Sequence, residues 1–94
     1  MTICKGEAAT ANGAKYLQQL CKHWSHKFQV ELGEGRGVVH FPAATATLEA
    51  RPEGLQVLIA ADEEATAERL KGVVASHLDR FAFREAPLAF HWSA

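Results

Sequence analysis

Between residues 70 and 81 the apolar positions recur at helical spacing. Leu70, Val73, Val74, Leu78 and Phe81 fall on one side of a 3.6-residue turn, and His77 lies near the middle of that stripe. Residues 14–26 repeat the period with Leu17, Leu20, Cys21 and Trp24 on the buried side, and Thr10 or Asn12 is placed to cap the start. Between the two helices the period falls to two. Residues 28–32 and 45–51 alternate apolar and polar, as half-buried strands do, 38–41 returns as the partner strand of 28–32, and 55–61 is nearly all apolar and belongs in the sheet interior. The glycine-rich stretch 33–37 and Pro52-Glu53-Gly54 read as turns. Residues 2–8 form a short edge strand in this reading. Asp62 caps the second helix with Glu63 and Glu64 in its first turn, and 88–92 is a last strand after Pro87.

The resulting order is β-α-β-β-β-β-α-β. Hairpins in the middle and one helix near each end imply an α+β two-layer sandwich: an antiparallel sheet with two helices on one face. Ninety-four residues are expected to make one domain, spanning 1–94. Hydrophobic residues make up 48% and charged residues 22%, which supports a packed core over disorder. The formal net charge is −1 with signs interspersed, and without a basic stripe nucleic acid is not an expected partner. The longest apolar run, residues 57–61, is too short to cross a bilayer, and the first residues lack the apolar run of a secretion signal. The expected compartment is cytoplasmic, with no membrane partner. Cys4 and Cys21 have no Cys-x-x-Cys spacing and are expected to be free thiols.

Candidate chemistry gathers on the helices. An imidazole in an apolar stripe needs a hydrogen-bond partner, so His77 is expected to be buried and bonded to a backbone carbonyl or a sheet hydroxyl, or to line a pocket between helix and sheet. Arg80, three residues on, offers paired donors for a carboxylate, phosphate or catecholate-like anion. His23 and His26 project about 60° apart on a helix and are a candidate metal pair, whereas Cys21 points more than about 100° away from His26. No paired-carboxylate motif, P-loop or dinucleotide fingerprint accompanies them. Ser25, Ser76 and Ser93 stand near histidines only in sequence, which does not orient them for proton transfer. His40 and His91 alternate with aromatic residues and are expected on the sheet face away from the helices. That face, with Val38, Thr45, Thr47 and Leu58, is a candidate dimer surface.

Tyr16-Leu-x-x-Leu-Cys-x-His-x-x-His-Lys27, followed by Ser76-His-Leu-x-Arg-Phe-x-x-Arg-Glu85, resembles the small bacterial domain-of-unknown-function family 2218 over about residues 8–92. The resemblance implies ligand-binding positions at His23, His26, Lys27, His77, Arg80 and Arg84. It also implies a context in siderophore and iron use, with a siderophore-interacting reductase as a candidate partner, and it implies no reaction or cofactor. The sequence therefore points to an accessory or ligand-binding module for a small anion, expected to be a homodimer. The alternatives are a small enzyme using His77 with an arginine on an anionic substrate, and a purely structural dimeric interaction domain.

Overall fold

The computed structural model describes residues 1–93. Its elements follow the expected order: β1 (Thr2–Ala9), α1 (Gly13–Trp24), β2 (Gln29–Gly33), β3 (Arg36–Phe41), β4 (Ala44–Arg51), β5 (Gly54–Ala61), α2 (Glu64–Phe81) and β6 (His91–Ser93). The strands form one antiparallel sheet in the order β2-β3-β4-β5-β1-β6. The meander from β2 to β5 runs through three hairpins. The first turns at Glu34-Gly35, where Gly35 has φ 68°. The second turns at Pro42-Ala43, where Ala43 adopts φ 62° without being glycine. β1 then pairs along its whole length with β5, from Thr2↔Ala61 to Ala9↔Gly54.

Alternation places one face of each strand against the helices. Cys4, Ala8, Val39, Ala46, Leu48, Leu55, Val57 and Ile59 meet Leu17, Leu20, Cys21 and Trp24 of α1 and Ala67, Leu70, Val74 and Leu78 of α2. Close approach is needed under α1: a Cβ on Gly37 would lie 2.5 Å from Cys21 Sγ. Both cysteines are free and buried, and burial pushes the Cys21 thiol up to about 11. Among the described residues, no helix is long and apolar enough to cross a membrane.

Four expectations about element positions need correction. β1 is not an edge strand, because three residues after the last loop add β6 beyond it: Lys5↔Ser93, Gly6↔Trp92 and Glu7↔His91. That last strand is correspondingly shorter than 88–92 and shifted to His91–Ser93. α1 stops at Trp24, two residues before His26, as the Lys27 and Phe28 amides both donate to the Trp24 carbonyl at 3.0 and 2.8 Å and turn the chain. Neither helix start is capped by a side chain in the expected way. Asn12 and Glu63 occupy the cap positions without a cap bond, and the Asp62 amide is instead held by the Ala43 carbonyl at 3.0 Å.

Candidate functional site

The two helices lie antiparallel on the sheet. Tyr16, early in α1, reaches Glu85 just beyond α2, while His23, near the end of α1, packs on His77 and Phe81. Polar side chains gather where the helices meet at each end, and the two gatherings differ.

At the α1 start, Glu85 closes a clasp. Thr10 Oγ1 donates to its carboxylate at 2.9 Å, Asn12 Nδ2 donates at 3.1 Å, and the Tyr16 hydroxyl donates to the same group. The Tyr16 bond, then those of Asn12 and Thr10, hold the Glu85 carboxyl below its ordinary value. The same bond to Glu85, with burial and the carboxylate charge, holds the Tyr16 hydroxyl above its own. Arg84 lies at this end too, its guanidinium 5.8 Å from the centre of the exposed Phe83 ring.

At the α1 end, the turn after Trp24 hangs His26, Lys27 and Phe28 beside the flank of α2. Together with His23, Trp24 and Phe41 they face Arg69, Leu70, Val73 and His77 of α2 across a cavity of about 410 Å³. Aromatic rings form most of the wall. Phe28 and Phe41 meet at 4.7 Å, Phe41 stands edge-on to Trp24 at 5.1 Å, and His77 lies tilted against Trp24 at 5.0 Å. His23 stands 5.9 Å from His77, and Lys27 Nζ lies 5.7 Å from the Phe28 ring centre. The lining holds two permanent cations, Lys27 and Arg69, and three histidines, with no carboxylate among its residues.

His77 is half-buried, not buried as its place in the apolar stripe implied. Two adjacent rows of α2 explain why. Leu70, Val74 and Leu78 fill the space against the sheet, while Val73, His77 and Phe81 flank them on the side of α1. The ring finds its partner within its own helix: Nδ1 donates to the Val73 carbonyl at 2.7 Å. A carbonyl can only accept, so Nδ1 carries the proton and Nε2 is the nitrogen left for a ligand.

Of the residues singled out by sequence, His23, His26, Lys27 and His77 come together in this cavity. Arg80 is exposed and does not line it, and Arg84 lies at the opposite end of the helix pair. The arginine that lines the cavity with His77 is Arg69. Sequence reasoning missed it, although the signal was present: 69, 73 and 77 are spaced by four, on one helical row. The Glu85 clasp was missed as well, because its partners are about seventy residues away in sequence. Among the described residues, no three His, Cys, Asp or Glu side chains are arranged to hold a metal ion. Ser25 and Ser76 donate to carbonyls of their own helices, at 2.7 Å to Lys22 and 3.2 Å to Val73, and so are not paired with a histidine.

Elsewhere, His40 Nε2 pairs with Glu31 at 2.6 Å across two outer strands. His91 borders a depression of about 330 Å³ at the sheet end, with Glu7, Arg51 and Glu53. Arg51 is engaged there by Gln56 at 2.8 Å and Glu49 at 4.0 Å, and it shares the lining with the carboxylates of Glu7 and Glu53.

Comparison with known proteins agrees with this architecture. The NMR structure of PA4090 from Pseudomonas aeruginosa is similar over 99% of this chain and 96% of its own, with a TM-score of 0.86 and 33% sequence identity. No match is found among curated proteins. Residues 5–93 match a family described as uncharacterized protein conserved in bacteria, DUF2218, and the chain belongs to that family.

Proposed function

We propose that the protein is a non-catalytic binding module that captures a small anion in the cavity between the end of α1 and the flank of α2. The observation that carries this reading is the charge of the lining: Lys27 and Arg69 face three histidines with no carboxylate to neutralise them. Arginine and lysine so placed attract a carboxylate, phosphate or catecholate, and a cavity of about 410 Å³ is of ligand-binding size. The lining also lacks a serine, threonine or cysteine nucleophile and any acidic group to orient a histidine, which favours binding over catalysis. A catecholate- or carboxylate-bearing ligand would suit the siderophore-related context implied by the family resemblance.

The test is isothermal titration of the protein with benzoate, acetate and inorganic phosphate at low and high salt, repeated on Lys27→Ala/Arg69→Ala. Saturable 1:1 binding of at least one anion is expected, weaker at high salt and abolished in the double variant. Heats no larger than those of dilution for all three would overturn the reading.

A second reading concerns the sheet face turned away from the helices. Ile3 is 49% exposed there, and Thr45, Thr47, Leu58 and Ala60 are only half-buried across the neighbouring strands. This partly apolar face supports the proposal that two copies pair through it. Light scattering at high micromolar concentration should give twice the monomer mass, and Ile3→Glu should return it to the monomer. A monomer mass for the wild type would end that proposal.

A further inference from the structure

We infer that the occupant of the cavity is a planar aromatic anion, an arene carboxylate or phenolate with one or two rings. This inference deepens the anion-binding reading and rests on it. Six of the ten lining residues carry aromatic rings: His23, Trp24, His26, Phe28, Phe41 and His77. The inner rings of this wall turn edges toward faces. Trp24 meets Phe28 at 81° and Phe41 at 83°, and Phe28 meets Phe41 at 62°. Such a cluster is complete as core packing only when its outer members are covered, yet Phe28, Phe41 and His77 are all half-buried, with the cavity in front of them. The uncovered aromatic surface lies beside Lys27 and Arg69, not in a separate patch.

The two properties together narrow the ligand class. A phosphate or a short aliphatic acid would satisfy the cations and leave the rings wet. A hydrocarbon would cover the rings and leave the cations unused, and an organic cation would be repelled by them. A flat ring with an ionised substituent satisfies both sides, stacking on the aromatic wall while its anionic end meets the guanidinium. Size agrees: an apolar cavity of about 150 Å³ is enough for benzene, so about 410 Å³ takes a ring with its carboxylate and leaves room for a second fused ring. His77 adds a directional element, since its Nδ1 is held by Val73 and Nε2 is left to accept from a hydroxyl on the ring.

The experiment is a competition of four probes on the wild-type protein, followed by amide chemical shifts and isothermal titration: 2-naphthoate, benzoate, cyclohexanecarboxylate and inorganic phosphate. Benzoate should bind about 3- to 10-fold tighter than cyclohexanecarboxylate, which has the same charge without a π face, and 2-naphthoate should bind tightest of the four. Phe28→Leu should remove the preference for benzoate over cyclohexanecarboxylate while leaving the carboxylates bound, whereas Arg69→Ala should weaken all four probes. Equal affinity for benzoate and cyclohexanecarboxylate, or phosphate as the tightest probe, would overturn the aromatic assignment and leave the anion-binding reading standing. No saturable binding of any probe would overturn both. The wild-type ranking decides the matter even if the Phe28 variant fails to fold.

Discussion

The two ends of the helix pair hold similar numbers of polar side chains and use them differently. At the Glu85 end three donors share an acceptor: Thr10, Asn12 and Tyr16 all converge on one carboxylate. At the His77 end, Lys27, Arg69, His23 and His26 face a cavity with no carboxylate in its lining. A polar cluster that satisfies itself is spent on tying the chain together. One that remains unopposed beside uncovered aromatic surface is free to meet a ligand. The family match over residues 5–93 covers both ends, so similarity alone does not separate the structural role from the binding role. Hydrogen-bond accounting does.

The comparison breaks most readily at Trp24, which is 4% exposed and serves both the core and the cavity wall. Trp24→Ala should cost about 3–5 kcal/mol in chemical denaturation and remove ligand binding together. A loss of binding without a loss of stability would show that Trp24 belongs to the site alone. Next comes Gly37→Ala, whose new methyl would press on Cys21 Sγ and should cost about 1–3 kcal/mol. Cys21→Ala in the same chain should recover part of that loss. If it recovers none, the close approach is not the cause.

The clasp should show itself through pH. Glu85 is held below its ordinary value, 4.5, so its contribution to stability is present above that pH and is lost as pH falls through the lower folded value. Tyr16 is held above its ordinary value, 10.0, so its contribution is present below that pH and is lost as pH rises through the higher folded value. Between these limits the clasp is intact. Glu85→Gln should lower the denaturation midpoint at neutral pH and flatten the acid limb of the stability profile, with affinity for benzoate unchanged. An acid limb identical to wild type would remove the clasp from the account.

Smallest are the effects of the cavity's own residues on stability. His77→Ala loses a local bond and partial burial and should cost about 1 kcal/mol. The exposed Arg69→Ala should stay within about 0.5 kcal/mol of wild type while losing the anion. A large stability loss at Arg69 would place it among the structural residues instead.

Much of this was legible from periodicity. The order of eight elements followed from the alternation of period two and period 3.6, because each strand of the meander has one buried face and each helix one apolar stripe. What periodicity cannot carry is distance. β1 looked like an edge because β6 joins it across some eighty-five residues, and three paired residues leave little trace in composition. His77 looked buried because two neighbouring rows of α2 are both apolar, and nothing local says which row meets the sheet. His23, His26, Lys27 and His77 were singled out, but the arginine beside them was not, although it lies on the 69, 73, 77 row. Arg80 is about one turn from His77 and Arg69 about two, and the turn after Trp24 docks beside Arg69. Glu85 had no local partner at all to betray it.

The most direct test of the difference between the two ends is an amide chemical-shift map of the wild-type protein during titration with benzoate. Saturable shifts are expected at His23 to Phe28 and at Arg69 to His77, with Thr10 to Tyr16 and Glu85 unmoved. Shifts centred on the Glu85 end, or a spectrum that does not respond to benzoate, would contradict the account.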